Sequence, residues 1–164
     1  MVFSLRVATI DDVPDILAIY RQGDDFALSG DRNKDINLID VMEWVESATP
    51  ERPMFVVSAG GEVIGWGALE PFYGLPSFDM AAEVSVYLLP QWRGKGAAAA
   101  FIQYLADHKD ALHFSHLVAY IYARNTLSLR FFKKQGFESW GVLPKIASCQ
   151  ELQEDVFLLG RVFC

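Results

Sequence analysis

Residues 84–107 of this chain read VSVYLLPQWRGKGAAAAFIQYLAD. Alternating branched residues make a strand, Pro90 stops it, and two glycines turn the chain. Four alanines then start a helix. The first helical turn presents free N–H groups and the positive end of the helix dipole to whatever lies against the glycines. Gly94 and Gly96 keep side chains out of the way, and Arg93 and Lys95 add positive charge. Two readings follow: a cradle for a phosphate group over Gly94, Lys95, Gly96, Ala97, Ala98 and Ala99, or a flexible turn before a plain surface helix. Either way a strand–turn–helix unit stands mid-chain and needs a sheet to join.

The surrounding pattern supplies that sheet. Phe3 to Ala8 is a short first strand. Thr9 caps a helix through residue 22, with Asp11 and Asp12 at its positive end and Val13, Ile16, Leu17 and Tyr20 on one face. Residues 23–35 are a polar loop, and 36–48 form a second helix with Ile39, Met42, Val45 and Leu38 expected to face inward. Strands at 53–59 and 62–72 are joined by Gly60-Gly61, a two-residue hairpin signal. An irregular 73–80 precedes the strand 81–90. After the glycine turn come a helix over 96–109, a strand at 116–123, a helix from 125 to 135, and strands at 137–143 and 154–163. The order β-α-α-β-β-β-α-β-α-β-β places the chain in the mixed α/β class, a single sheet with helices on both faces. At 164 residues it is one domain, spanning 1–164.

Two common phosphate motifs fit the turn poorly. A P-loop requires Ser or Thr after the lysine, and Gly96 stands there. A dinucleotide fingerprint places its third glycine at Ala99 and belongs in a first β-α unit, with an acidic residue ending the next strand; here the next strand ends in YIYARN.

A different family fits. Gln91, Gly94 and Gly96 match the [QR]-x-x-G-x-[GA] pyrophosphate loop of the GNAT superfamily of acyl-CoA-dependent N-acetyltransferases. Asn125, Ser128, Phe131, Phe132, Gly136 and Phe137 match its N-x-x-[SA]-x-x-[FL]-[YF]-x-x-x-G-[FY] helix; taken alone, that helix is a capped amphipathic element with Asn125 as cap. Within the superfamily, DDVPDILAIY, VIGWGALEPF, AEVSVYLLP and DVFLLG resemble the phosphinothricin N-acetyltransferase group over nearly the whole chain.

The resemblance implies a GNAT-like, mostly antiparallel mixed sheet and a homodimer. It implies transfer of an acetyl group from acetyl-CoA, as cosubstrate and without a metal, to the amine of a small amino-acid-like compound. It implies that main-chain groups of Val86, Tyr87 and Leu88 meet the thioester and pantetheine arm. The loop holds the pyrophosphate with Gln91, Arg93 and Lys95 alongside, and Asn125 and Ser128 contact the rest of the carrier. It assigns Glu83 as general base. Phe26, Trp66, Phe72, Tyr73 and Leu75, with Glu83, would line the acceptor pocket.

An amine with a pKa near 10 is only about 0.1% neutral at pH 7, a deficit of roughly 4 kcal/mol, so a base is valuable. Strand alternation puts Glu83, Ser85 and Tyr87 on one face and Val84, Val86 and Leu88 on the other. Without the resemblance, Glu83 reads as a solvated strand carboxylate.

The chain departs from the family in three places. Phe132 occupies the position of a tyrosine that protonates the leaving thiolate, and water would supply that proton. The PFRxRPAY segment of relatives is PFYGLPSF, with Tyr73 and Leu75 replacing arginines suited to a substrate carboxylate. Ala81 replaces a nearby threonine, and SCQELQED keeps only Asp155 of a C-terminal motif. The expected acceptor is therefore an amine other than phosphinothricin or methionine sulfoximine, less acidic or more hydrophobic. A protein or peptide acetyltransferase and a catalytically silent acyl-CoA-binding module are the competing readings.

A formal charge of −7 disfavours broad contact with nucleic acid or anionic membrane. No apolar run is long enough to span a membrane and the N-terminus lacks a signal-peptide pattern, so the expected location is the cytoplasm. Cys149 and Cys164 fit neither a zinc site nor a disulfide framework. His108, His113 and His116 cluster near a helix end, a setting for surface histidines more than for a metal. Trp44, Trp92 and Trp140 are read as core or interface fillers.

Overall fold

The computed structural model describes residues 2–22, 36–149 and 152–164. Its strands are β1 (Ser4–Val7), β2 (Met54–Ala59), β3 (Glu62–Pro71), β4 (Ala81–Leu88), β5 (His116–Tyr122), β6 (Glu138–Cys149) and β7 (Leu152–Val162). Its helices are α1 (Val13–Gln22), α2 (Leu38–Ser47), α3 (Ala97–Asp107) and α4 (Thr126–Lys134). The element order is the one expected.

One seven-stranded sheet runs β1-β2-β3-β4-β5-β7-β6. Its pairings are antiparallel except β4–β5. Gly60 and Gly61 both take positive φ and close the β2–β3 hairpin, as their sequence predicts. Glu83, Ser85 and Tyr87 do alternate with Val84 and Val86. Val84 and Val86 join Phe101, Ile102 and Leu105 of α3 and Phe132 of α4 in one core. Tyr87 packs on the opposite face with Trp66 and with Val13, Ile16 and Leu17 of α1. Helices therefore cover both faces.

Thr9 starts the first helical segment: a 3-10 turn at Ile10–Asp12 runs into α1. The Thr9 N–H donates to Asp12 Oδ2 at 2.8 Å. Asp12 is buried, and the Arg6 guanidinium grips both its oxygens at 2.7 and 2.8 Å. Strand β1 is thereby tied to the start of α1.

Two expectations need correction. In α2 the buried residue is Val41, with Trp44 and Val45 partly buried beside it, whereas Leu38, Ile39 and Met42 are exposed. The helix is turned so that Leu38 and Ile39 border an open hollow of about 610 Å³ against Leu17 and Arg21 of α1. Val45 packs inward as expected, but periodicity alone placed Leu38, Ile39 and Met42 with it instead of Val41 and Trp44. Strand β6 also runs past Leu143 to Cys149. Its ladder with β7 breaks between Leu143 and Ala147, where Lys145 takes φ +50°, then resumes. Pro144, which has no N–H to give a ladder, lies in that break. No helix of the described residues is long and apolar enough to cross a membrane.

Candidate active site

The parallel ladder between β4 and β5 is short. It pairs Ala81 with His116, Ala82 with Leu117 and Glu83 with Val118, then stops. β4 continues beside β3 to Leu88, while β5 continues beside β7 to Tyr122. The strands part after Glu83, and a wedge opens between them with Glu83 at its apex. Val86, Tyr87 and Leu88 line the β4 side of this wedge.

The glycine turn follows directly. Pro90–Trp92 forms a 3-10 turn, and Gly96, at φ +94°, is the N-cap of α3. Gly94 lies at φ +74°. A Cβ at Gly94 would meet nothing within 4 Å, so glycine is needed there for backbone conformation. The first helical bond of α3 runs from the Ala100 N–H to the Gly96 carbonyl at 2.9 Å. The N–H groups of Ala97, Ala98 and Ala99 precede it, and Gly96 offers no side-chain cap. No acidic residue occupies the first turn. These features fit an anionic group. The Lys95 ammonium lies 5.2 Å from the Trp92 ring centroid, Arg93 is half-buried, and Gln91 is exposed.

Asn125 is the cap of α4: its Oδ1 accepts from the Ser128 N–H at 3.1 Å. Both matched motif positions are thus joined by one bond that starts the helix. Phe132 is buried against Phe131 and Phe137 in the α3–α4 core.

Glu83 is half-buried and stands opposite Glu70 in the antiparallel β3–β4 ladder. The two side chains lie on the same face of the sheet. Burial first, and the neighbouring Glu70 second, push the Glu83 carboxyl up to about 7. Tyr120 of β5 lies on the same face, and burial together with the charge of Glu83 raises its phenol above the usual range. Residue chemistry did not single out Glu70 or Tyr120. Their signal was faint: Glu70 shares strand parity with Trp66 and Ala68, but its register against Glu83 depends on an irregular connection.

That connection, residues 72–80, forms one wall. Phe72 is half-buried, with its ring 5.9 Å from Phe78 and 6.4 Å from Tyr120. Tyr73 is 77% exposed at φ +62°, an uncommon conformation for a bulky residue, with its ring 5.9 Å from Phe78. Leu75 is exposed, and with Phe72 and Phe78 it borders a cleft of about 300 Å³. Arg52 holds the base of this loop, donating to the carbonyls of Asp79, Leu112 and Glu51 at 2.7 Å and of His113 at 3.1 Å. Trp66 is buried and stacks on Tyr87, deeper than the other expected pocket residues. Phe26 lies outside the described residues.

Among the described residues no group of three His, Cys, Asp or Glu could hold a metal. His108 ends α3 with Nδ1 2.8 Å from the Tyr104 carbonyl, and His113 sits near Glu51 at 3.6 Å. His116 lies near Trp140, which packs onto Gly160.

This arrangement has known counterparts. Residues 18–137 match the acetyltransferase (GNAT) family. A Bacillus subtilis (strain 168) protein provisionally named phosphinothricin acetyltransferase YwnH is 33% identical over 159 residues, covering 96% of this chain and 98% of its own. The L-methionine sulfoximine/L-methionine sulfone acetyltransferase of Pseudomonas paraeruginosa is 30% identical over 145 residues, 87% of this chain and 84% of its own. The fold superposes with TM-score 0.88, at 24% identity, on a GNAT superfamily phosphinothricin acetyltransferase from Sinorhizobium meliloti in complex with AcCoA, covering 99% of this chain and 89% of that one. With its wedge, its glycine turn and its family match over most of its length, the chain belongs to the GNAT acetyltransferase family.

Proposed function

We propose that this protein transfers an acetyl group from acetyl-CoA to the primary amine of a small molecule, with Glu83 as general base. One observation carries the reading: a half-buried carboxyl pushed up to about 7 stands at the last rung before β4 and β5 part. A base with that proton affinity is about half ionised at neutral pH and well matched to taking a proton from an amine.

Acetyl-CoA supplies an activated acetyl thioester. The N–H groups of Ala97, Ala98 and Ala99 and the turn at Gly94 would hold its pyrophosphate. The β4 edge over Val86, Tyr87 and Leu88 would hold the pantetheine arm as a neighbouring strand, and a backbone N–H near Val86 would polarise the acetyl oxygen. Asn125 would serve the carrier through the helix start it caps. Glu83 removes the amine proton, and Phe132, sealed in the core, takes no part in proton transfer.

The acceptor is a small amine with an apolar or aromatic body and no carboxylate. Tyr73 and Leu75 hold the positions of the family's arginines, and Arg52, at the base of the loop, is committed to four backbone carbonyls. The relatives' names set the size class, phosphinothricin and methionine sulfoximine. The protein acts as a homodimer in the cytoplasm; β6 is an edge strand of the sheet, and its exposed Trp140, Val142 and Ile146 support pairing there.

The test is thiol release from acetyl-CoA over a panel of arylalkylamines, aliphatic amines, amino acids and lysine peptides, with products identified by mass. Acetylation of carboxylate-free amines ahead of phosphinothricin and methionine sulfoximine supports the reading. Efficient acetylation of those two compounds overturns the acceptor assignment, and acetyl-CoA binding without any acetylated product overturns the activity.

A further inference from the structure

Glu70 and Glu83 are register partners across the β3–β4 ladder, on one face of the sheet, and Glu70 adds to the proton affinity of Glu83. Two carboxyls in that relation make ionising both more costly, which favours a proton on the more buried Glu83. Glu70 is exposed and Glu83 is half-buried, so the pair spans from the apex of the wedge to solvent. Neither carboxyl forms an ion pair with a cation of the described residues.

The other titratable groups on this face are poor outlets for a proton. Tyr120 of β5 holds its own proton more tightly than a free tyrosine, through burial and the charge of Glu83. His116 of β5 is engaged, with Nδ1 2.7 Å from the Ser115 hydroxyl, and stands at the rung of Ala81. Tyr87 is stacked on Trp66, and Tyr20 of α1 packs against Tyr87.

We propose that Glu70 is a positioning residue for the transfer: it holds the Glu83 carboxyl by a hydrogen bond and carries the proton that Glu83 removes out to solvent. This rests on the reading of Glu83 as base. As the nitrogen–carbon bond forms and the carbon–sulfur bond breaks, the amine proton goes to Glu83. The carboxyl pair shares it, Glu70 releases it to water, and the departing sulfur takes a proton from water. Charge and atoms balance to an amide and a thiol.

The experiment titrates the side-chain carboxyl carbons of glutamate in the full chain by NMR, in the wild type and in Glu70→Gln, Glu70→Asp and Glu83→Gln. The wild type should show Glu83 titrating near 7. In Glu70→Gln the Glu83 midpoint should fall by about one pH unit or more, roughly a tenfold loss of proton affinity. Glu70→Asp should recover part of that shift, and Glu83→Gln, which should lose the signal that titrates near 7, assigns it. Rates with the best amine of the panel should fall in Glu70→Gln, with the acid limb of kcat/KM displaced by the same amount and acetyl-CoA affinity unchanged. A Glu83 midpoint that stays in place in Glu70→Gln, or a rate that stays at the wild-type level, overturns the proposal. Wild-type rates in Glu83→Gln would instead overturn the base assignment, while the titration still reports on the pair. If Glu70→Gln does not fold, Glu70→Asp carries the test, with a smaller displacement in the same direction.

Discussion

The indole of Trp66 lies nearly flat on the ring of Tyr87, with centroids 4.4 Å apart and planes inclined by 22°. The two residues are register partners in the β3–β4 ladder, so the stack ties the strand that carries Glu70 to the strand that carries Glu83. Trp44 of α2 and Tyr20 of α1 close over it. The Trp66 Nε1 is buried and finds no hydrogen-bond acceptor among the described residues. The position therefore depends on the ring's area and shape. Trp66→Ala should cost about 3–5 kcal/mol. Trp66→Phe should cost far less, since it removes the unsatisfied donor together with part of the ring. Urea unfolding measures both; equal losses in the two variants would contradict this account.

Gly96 caps α3 in the left-handed region at φ +94°. A side chain there costs about 1–2 kcal/mol of backbone strain, and relief of that strain would swing the first N–H groups of the helix out of line. Gly96→Ala should weaken acetyl-CoA binding about tenfold or more, while acceptor KM at saturating acetyl-CoA stays within about twofold. Calorimetric titration with acetyl-CoA reads the first number. Unchanged affinity would mean that the loop is a connector only.

Asp12 should govern stability in acid. Its carboxyl is held below its ordinary 3.8, first by the hydrogen bonds from Arg6; burial opposes this as the next largest effect, and the Thr9 N–H adds to the lowering. The contribution of a lowered carboxyl is present above its ordinary range and lost as pH falls through its folded value. Asp12→Asn should cost about 2 kcal/mol at pH 7, below the figure for a fully buried pair because Arg6 is half exposed. The gap should narrow as pH falls below 3.8. Denaturant midpoints at pH 7, 4 and 2.5 check this; a gap as wide at pH 2.5 as at pH 7 would place the effect in packing.

Element order, the hairpin at Gly60-Gly61 and the strand–turn–helix unit were legible because each rests on local chemistry: alternation, positive-φ glycines, a stop at Pro90. The face of α2 was legible only in part: Val45 packs inward as expected, but Leu38, Ile39 and Met42 are as apolar as Val41 and Trp44, and packing against α1 and β3 decides between them. The candidate site divides the same way. The glycine turn was legible from its own chemistry, whereas Glu83 was singled out only by the family resemblance. Glu70 was missed because its partnership is a matter of register across residues 72–80, a connection whose turns no short-range rule specifies. The raised proton affinity of Glu83 is likewise a tertiary property, supplied by burial and by Glu70.

The most direct test of the account is the pH dependence of kcat/KM for acetylation of the best amine, in the wild type and in Glu83→Gln. Glu83 acts as a base only when ionised, so the wild-type acid limb should carry an inflection near 7 attributable to this carboxyl. Glu83→Gln should lose that inflection and run about 10²–10⁴-fold slower at its plateau, with acetyl-CoA affinity intact. A Glu83→Gln enzyme that keeps both the wild-type rate and the wild-type acid limb would contradict the central claim.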